Sequence, residues 1–226
     1  KIVACGFERL GRLPATAEPR KRVVGNPVRR AILDVRDMPY PKVGPEAELQ
    51  LLIIGGSQGA RLFGEVLPPA ICALPEALRS RLKVVQQVRQ EQLEAVTAVY
   101  EAAGVKTQLS PFFSHMPDLL AKSHMVISRS GASSVTELAV VGRPSLLIPL
   151  AIAMDDHQTG NAETLRDAGA ADVIQERELT VEQVTKILSE RLSDGEALQA
   201  RAEAAKSVGK FNASSELADL AECVVQ

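Results

Sequence analysis

The feature that most constrains the fold is a short apolar run that ends in a glycine-rich turn, at residues 51–60. The run reads Leu-Leu-Ile-Ile, continues as Gly-Gly-Ser-Gln-Gly-Ala, and is followed by a helical pattern. Such a run predicts a strand buried on both faces of a parallel sheet. Glycines let the backbone approach a ligand closely, and the first N–H groups of a helix favour an anion. The stretch therefore predicts either a phosphate-binding turn or a tight strand-to-helix turn without a ligand.

A second stretch of the same design lies at residues 126–137. Val126-Ile127-Ser128 predicts the end of another buried strand, and the small residues at 130–134 then open a helix with free N–H groups. Glu137 lies about one turn inside this helix. Its carboxylate would accept hydrogen bonds from the helix's own first turn or from the two hydroxyls of a ribose. Two such helix starts on one sheet indicate a single ligand with several polar parts.

From Gln50 onward, apolar runs alternate with helical patterns in regular order. The predicted strands are Leu51–Ile54, Leu82–Gln87, Val105–Leu109, Met125–Ser128, Ser145–Ile148 and Ala171–Ile174. The predicted helices are Ala60–Leu78, Glu91–Ala103, Pro117–Lys122, Ser134–Val141 and Asn161–Ala168, followed by a helical tail from Thr180. This alternation predicts an α/β fold, a Rossmann-like doubly wound parallel sheet. Ligands bind such sheets outside the carboxyl ends of the strands, where both small-residue turns lie.

Composition limits the classes of partner. The 226 residues are 46% hydrophobic and 24% charged with a formal net charge of -2, and no basic block indicates a nucleic-acid partner. Cys5, Cys72 and Cys223 lack metal-ligand spacing and are too far apart in sequence to indicate a disulfide framework, which favours a reducing cytoplasm. Adjacent Asp155 and Asp156 lack the alternation that would aim both at one cation. We therefore expect neither a nucleic-acid partner nor a metal site.

The first 48 residues differ from the rest. Ile2-Val3-Ala4 reads as a strand already under way, so we expect the chain to be the later part of a longer protein. The following stretch is irregular and rich in Pro, Arg and Lys, which predicts a linker or an edge strand with a turn. Arg29 follows the Asn26-Pro27 turn and is either a solvated charge or a guanidinium that reaches a diphosphate. We assign residues 1–48 to the end of an amino-terminal domain and a linker, and 49–226 to a ligand-binding domain.

A third polar group follows the fifth predicted strand. Gln158 and Asn161 are three residues apart and so share one helical face, where their amides would read the hydroxyls of a sugar. His157 lies beside them, although a structural histidine is the commoner case. A dinucleotide cofactor is disfavoured because Ile54 occupies the place of the first glycine of that fingerprint. No Gly-Lys-Ser or Gly-Lys-Thr follows, which excludes a P-loop.

Together these motifs resemble a known family. Gly-Gly-Ser-Gln-Gly-Ala at 55–60, Ser-Arg-Ser-Gly-Ala-Ser-Ser-Val-Thr-Glu-Leu at 128–138 and Asp-His-Gln-Thr-Gly-Asn-Ala at 156–162 are similar to the carboxyl-terminal half of the N-acetylglucosaminyltransferases of glycosyltransferase family 28. The resemblance begins at Gly25-Asn26-Pro27-Val28-Arg29 and covers nearly the whole chain. It implies the carboxyl-terminal domain of a GT-B fold and an inverting transfer that completes lipid II in peptidoglycan synthesis. The family's acceptor site, membrane-facing patch and proposed base belong to an amino-terminal domain that we expect to lie outside this chain.

The resemblance also implies a role for each site residue. The diphosphate would contact Arg29, Gly56, Ser57, Gln58 and Gly59, and the ribose and phosphate would contact Ala132, Ser133, Ser134, Val135, Thr136 and Glu137, with Glu137 on the ribose hydroxyls. The segment around Phe113 would hold the uracil, with core packing as the alternative for its ring. Gln158 and Asn161 would read the N-acetylglucosamine. The resemblance implies no cofactor, and His115 and His157 are weak candidates for the base.

The implied partners are UDP-N-acetylglucosamine and, through the other domain, the lipid I acceptor. The whole protein would associate peripherally with the cytoplasmic face of the bacterial inner membrane, and we expect this chain alone to bind donor without transferring it. One alternative is another GT-B UDP-sugar transferase or an epimerase, which should differ around 156–162. A second is a non-catalytic nucleotide-sugar-binding module. A plain α/β interaction domain gives no reason for two Ser/Gly helix starts.

Overall fold

The computed structural model describes residues 2–8, 13–56, 60–150 and 157–225. Five residues named above, Ser57, Gln58, Gly59, Asp155 and Asp156, lie outside this part of the chain.

The described strands form two parallel sheets. The smaller sheet pairs β1 (Val3–Cys5) with β2 (Lys21–Val23). The larger contains β3 (Leu49–Ile54), β4 (Leu82–Gln87), β5 (Lys106–Ser110), β6 (Met125–Ser128), β7 (Ser145–Leu147) and β8 (Ala171–Val173). Its order is β5-β4-β3-β6-β7-β8, and every neighbouring pair is parallel. All six predicted strands are confirmed, and β3 begins two residues before the predicted Leu51 because Leu49 pairs with Leu82 of β4.

The helices of the described residues cover both faces of the larger sheet and continue into the tail. They are α1 (Arg30–Leu33), α2 (Arg61–Cys72), α3 (Glu76–Arg79), α4 (Leu93–Ala102), α5 (Met116–Lys122), α6 (Ala132–Val141), α7 (His157–Asp167), α8 (Val181–Ser193), α9 (Gly195–Val208) and α10 (Ala213–Val225). The predicted helix Ala60–Leu78 is wrong as one element, since it divides into α2 and α3. Pro75, which has no N–H to donate to a continuing helix, stands before α3.

The central strand β3 is buried on both faces, as its apolar run predicts. Leu51 and Ile53 belong to a core cluster with Phe63 of α2, whereas Leu52 belongs to a second cluster with Val135 of α6. All five side chains are fully buried. Successive side chains of a strand point to opposite faces, so each face of the sheet has its own core.

The strand order reverses between β3 and β6. From β3 the chain proceeds outward through β4 and β5, and it then returns to the other side of β3 to form β6, β7 and β8. A doubly wound sheet has a crevice at this position, outside the carboxyl ends of the two central strands. Gly56 follows β3 and Gly131 follows β6, so both predicted ligand turns open onto that crevice.

The segment before β3 packs against the larger sheet's second core. Ile32 of α1 and Val35 are buried in the cluster that also contains Val135 and Leu138 of α6. From the other end of the chain, Lys206 of α9 donates a hydrogen bond of 2.9 Å to the carbonyl oxygen of Arg36. These contacts hold residues 26–36 beside the crevice. The predicted domain boundary at residue 48 stays a prediction.

Candidate functional site

A cavity of about 580 Å³ lies at the crevice, between the segment before α1 and the first turns of α6. Its lining includes seven of the predicted site residues, namely Arg29, Gly56, Phe113, Ser133, Ser134, Thr136 and Glu137. A second hollow of about 670 Å³ shares Gly56 and Ser134 with this cavity and is also lined by Gln158. The two spaces therefore adjoin, and we refer to them as the main cavity and the side hollow.

Within the described part of the chain, no backbone acceptor pairs with the first N–H groups of α6, and Ser134 in this turn lines both spaces. Gly131 is the N-cap residue of α6, which has no side-chain cap hydrogen bond. The first described backbone hydrogen bond of the helix runs from the N–H of Val135 to the carbonyl oxygen of Gly131, at 3.0 Å. The first turn contains no acidic side chain. A Cβ at Gly131 would meet no atom of the described residues within 4 Å, so none of them fills the space around it. This end of the helix can therefore receive an anion.

Gly56 supplies the turn on the other side of the crevice. Its φ is +88°, in the left-handed region that glycine adopts without strain, and a Cβ at this position would meet no atom of the described residues within 4 Å. The backbone is thus exposed to any ligand that lies between β3 and β6. Ser57, Gln58 and Gly59, which continue this turn in the sequence, lie outside the described residues.

Arg29 and Glu137 contact each other at the mouth of the main cavity. Nε of Arg29 donates to Oε1 of Glu137 at 2.9 Å, and Nη2 donates to Oε2 at 3.0 Å, so the pair is bidentate. The Glu137 side chain is 14% exposed and that of Arg29 is 63% exposed. The structure thus brings together two residues that are far apart in the sequence and that were predicted to share one ligand.

A short hydrogen-bonded chain positions this pair. Nδ2 of Asn26 donates to Oγ1 of Thr136 at 3.0 Å, and that hydroxyl donates to the carbonyl oxygen of Ala132 at 2.8 Å. The turn before Arg29 is thereby fixed to α6 one residue before Glu137. Sequence reasoning did not assign this role to Asn26, although the Asn26-Pro27 turn was visible.

Val135 differs from the other members of its motif. Its side chain is fully buried in the second core cluster, whereas Thr136 and Glu137 line the main cavity. Val135 lines neither the main cavity nor the side hollow, so its predicted contact with a ligand stays a prediction.

Gln158 and Asn161 lie on the first turns of α7, but their side-chain amides make different hydrogen bonds. Oε1 of Gln158 accepts a hydrogen bond from the N–H of Leu150 at 3.0 Å, and the residue lines the side hollow. Asn161 is only 9% exposed, and its Nδ2 donates to the carbonyl oxygen of Ser130 at 3.1 Å. Asn161 thus holds the turn that precedes α6, and direct contact of its amide with a sugar stays a prediction.

Two phenylalanines, Phe112 and Phe113, follow β5 and line the main cavity. The ring of Phe113 is 6% exposed and belongs to the second core cluster, with the ring of His115 6.1 Å away in an edge-on arrangement. The structure thus shows Phe113 both in the core and at the cavity. Phe112 is 73% exposed, and sequence reasoning missed it although the aromatic pair was its signal.

Arg129 was also missed as a member of the site, although it lies inside the motif at 128–138. It lines the side hollow and forms an ion pair with Glu176, with both side chains less than one-fifth exposed. Its guanidinium also lies 4.9 Å from the centre of the Phe63 ring. The Arg129 charge is therefore balanced within the protein and held at a fixed position in the side hollow.

The described residues contain neither a metal-binding cluster nor a helix that could cross a membrane. Among these residues, no group of three or more His, Cys, Asp or Glu is arranged to hold a metal ion. No described helix combines the length and the apolar character needed to cross a membrane.

The parallel sheet, its strand order and the crevice at its centre define the carboxyl-terminal domain of a GT-B glycosyltransferase, which confirms the predicted fold class. The family profile described as glycosyltransferase family 28 C-terminal domain matches residues 50–222, and the chain belongs to this family.

Several characterised proteins are similar over nearly the whole chain. The chain is 47% identical over 217 residues to a protein of Maricaulis maris and 50% identical over 220 residues to one of Caulobacter vibrioides. Both are named UDP-N-acetylglucosamine–N-acetylmuramyl-(pentapeptide) pyrophosphoryl-undecaprenol N-acetylglucosamine transferase. These matches cover 96% and 97% of this chain but 59% and 60% of the relatives. The chain thus spans about three fifths of their length.

Solved structures support the same assignment. The crystal structure of Acinetobacter baumannii MurG superposes with a TM-score of 0.79 at 32% identity, covering 97% of this chain and 60% of that one. WaaG, a glycosyltransferase of lipopolysaccharide biosynthesis, superposes with a TM-score of 0.61 at 21% identity, covering 89% of this chain and 56% of WaaG. At that identity, the likeness to WaaG shows the fold alone.

Proposed function

We propose that this chain is the donor-binding half of a transferase that moves N-acetylglucosamine from UDP-N-acetylglucosamine to lipid I, forming lipid II. The observation that carries the proposal is that one cavity gathers a guanidinium, a carboxylate and the free start of a helix. These are the groups needed for a diphosphate and a ribose. The names of the relatives supply the sugar and the acceptor.

The donor's nucleotide part would occupy the main cavity. Glu137 would accept the two ribose hydroxyls, and Phe112 and Phe113 would flank the uracil. The diphosphate would lie between Gly56 and the start of α6, where N–H groups at Ala132, Ser133 and Ser134 are available. Arg29 would approach the same phosphates from the segment before α1. Ser57, Gln58 and Gly59 would complete this phosphate contact.

The sugar would lie in the side hollow, which adjoins the main cavity at Gly56 and Ser134. Gln158 lines that hollow, and Nε2 of its amide would donate to a sugar hydroxyl. Asn161 would contribute from the same helix. A fixed amide that hydrogen-bonds the sugar hydroxyls would distinguish N-acetylglucosamine from other sugars of similar size.

The chemistry follows from the charge of the leaving group. An acceptor hydroxyl attacks the anomeric carbon, the bond from that carbon to the diphosphate breaks, and UDP leaves with inversion at the sugar. The start of α6 and Arg29 would stabilise the negative charge that grows on the diphosphate. The proton of the acceptor hydroxyl requires a base. We assign that base to the part of the relatives' length that this chain does not span.

The whole protein would have further contacts. We propose that residues 1–48 join this domain to an amino-terminal domain that holds the lipid I site, and that residues 49–226 bind the donor. Peripheral association at the cytoplasmic face of the inner membrane follows from an acceptor that is a lipid. In a transfer assay with donor and lipid I, this chain alone should form no lipid II, whereas turnover near 1 per second would contradict the division of labour.

Thermal unfolding with a panel of ligands tests donor binding. A ligand at about 100 times its Kd stabilises the folded state by about 2.7 kcal/mol, which raises the Tm by roughly 5–10 °C for a domain of this size. We expect such a shift with UDP and UDP-N-acetylglucosamine and none with ADP, and a chelator should leave the shift unchanged. Equal shifts with ADP would refute recognition of uracil, and the absence of any shift would refute donor binding.

A further inference from the structure

We propose that Arg29 and Glu137 form a latch that favours nucleotides with a diphosphate over the bare nucleoside. The latch is the bidentate ion pair described above. This inference rests on the proposed function, because it assumes that Glu137 accepts the ribose hydroxyls and that the diphosphate lies within reach of Arg29. It adds a competition between these two residues, in which Arg29 holds the ribose-binding carboxylate until a phosphate group draws it away.

The ion pair between Arg29 and Glu137 occupies the carboxylate oxygens that a ribose would need. Arg29 donates to Oε1 and Oε2 of Glu137 at 2.9 and 3.0 Å, so each carboxylate oxygen already accepts a charged hydrogen bond. A carboxylate that binds two neighbouring hydroxyls uses the same two oxygens. The Glu137 side chain is 14% exposed, so little of it is open beyond the guanidinium. A ribose must therefore displace Arg29 or bind less well.

Arg29 can leave Glu137 at low cost. Its side chain is 63% exposed, so water can replace the contacts of the guanidinium, and a pair with one exposed partner is worth a factor of about five in an equilibrium constant. The backbone before it is fixed to α6 by the hydrogen bond from Asn26 to Thr136, at 3.0 Å. Release of the latch therefore requires only a change of the Arg29 side chain.

A diphosphate would offer Arg29 a better partner in the same cavity. Arg29 lines the main cavity together with Gly56 and Ser133, which lie beside the predicted diphosphate position. A guanidinium binds phosphate oxygens in the same bidentate manner as a carboxylate. UDP would thus exchange one partner of Arg29 for another and free Glu137 for its own ribose. Uridine has no phosphate to offer Arg29, so its ribose must compete with the guanidinium for Glu137.

The latch predicts that Arg29→Ala strengthens the binding of uridine and weakens the binding of UDP. In Arg29→Ala, Glu137 is always available, so uridine should bind about two- to fivefold more tightly than to the wild type. UDP should bind at least about tenfold more weakly, because its phosphates lose the guanidinium. Uridine is uncharged, so the loss of a positive charge cannot by itself raise its affinity.

Arg30→Ala is the matched control. Arg30 is the next residue, its side chain is 87% exposed, and it pairs at 2.8 Å with Asp34, the residue that follows α1. Its substitution should change neither affinity. Both ligands are titrated by NMR chemical-shift perturbation, which measures millimolar dissociation constants for uridine as well as tighter ones for UDP. Repeating Arg29→Ala in the Glu137→Gln background should then give no gain for uridine.

The outcomes separate the latch from the proposed function. If UDP binds the wild type but uridine binds Arg29→Ala no more tightly, the latch is wrong and the donor site stands. An equal gain for uridine in the Glu137→Gln background would also overturn the latch, because the gain would not arise from the carboxylate. If the wild type binds neither ligand, the proposed function fails and the latch fails with it.

Discussion

The side-chain amide of Asn161 donates a hydrogen bond to the carbonyl oxygen of Ser130, 3.1 Å away, and so ties α7 to the turn before α6. Ser130 is fully buried and Asn161 nearly so. The contact links the helix that carries the predicted sugar readers to the helix start that would bind phosphate. A change in α7 can therefore affect the nucleotide as well as the sugar.

This contact leads to a prediction for Asn161→Ala. The substitution leaves the Ser130 carbonyl without its partner and loosens the start of α6, so UDP itself should bind about 1 kcal/mol more weakly. A residue that only read the sugar would leave UDP binding unchanged. Calorimetric titration with UDP measures the difference, and a wild-type affinity for UDP would restrict Asn161 to the sugar.

Gln158→Ala should behave differently. Gln158 lines the side hollow, and its amide would donate to the sugar, so its loss should weaken UDP-N-acetylglucosamine more than UDP, by about 1 kcal/mol. The two residues lie on the same helix, which makes each variant a control for the other. Equal losses for both ligands in Gln158→Ala would remove Gln158 from the sugar site.

Glu137→Gln tests the ribose contact. The substitution keeps the shape of the side chain but removes its charge, so UDP and UDP-N-acetylglucosamine should both lose about 1.5–3 kcal/mol of binding free energy. Ser215→Ala, in α10 and distant in sequence from the site, is a surface control that should change neither affinity. Retention of wild-type affinity in Glu137→Gln would place the ribose elsewhere.

The stability of the domain should depend on pH through His124. Nδ1 of His124 accepts the N–H of Gln50 at 2.9 Å, and its other ring nitrogen lies 3.2 Å from the carbonyl oxygen of Lys42. The neutral ring therefore carries its proton on Nε2. Burial lowers the pKa of His124 below its usual value of 6.5, and Arg143 and Arg81 lower it further, against the raising effect of the Lys42 carbonyl.

The direction of this pH dependence follows from which state, folded or unfolded, binds more protons. Between the lowered pKa of the folded state and the value near 6.5 of the unfolded chain, the unfolded state binds more protons, so the free energy of unfolding falls as the pH drops below about 6.5. Urea unfolding at pH 7.5 and 5.5 measures this loss. His124→Asn should be less stable than the wild type at pH 7.5, and the difference should shrink at pH 5.5. A stability difference between His124→Asn and the wild type that grew at pH 5.5 would contradict this account.

Patterns along the chain predicted most of the larger sheet. The bounds of β4 and β6 match the predicted Leu82–Gln87 and Met125–Ser128, because every residue of β6 and most of β4 are buried and the apolar run is the strand itself. The start of β3 was placed two residues late, since the place of Leu49 in the strand depends on its partner Leu82 on another strand. Such pairing is not visible in one segment of sequence.

The sequence predicted a set of site residues but not the contacts among their side chains. Residues that follow parallel strands meet at one edge of the sheet, which is why Gly56 and Glu137 line the same cavity. The contact of Arg29 with Glu137 depends on a hydrogen bond between Asn26 and Thr136, and side chains 110 positions apart give no local signal of it. The burial of Val135 was within reach of sequence reasoning, because helical periodicity turns it away from its neighbours.

The most direct test of the donor site is calorimetric titration of this chain with UDP-N-acetylglucosamine and, in parallel, with UDP-glucose. The account predicts saturable binding of one UDP-N-acetylglucosamine per chain with a Kd below about 1 mM, which corresponds to about 4 kcal/mol or more. UDP-glucose should bind more weakly, because it lacks the acetamido group and fits the side hollow less well. No binding of UDP-N-acetylglucosamine at millimolar concentration, or tighter binding of UDP-glucose, would contradict the account.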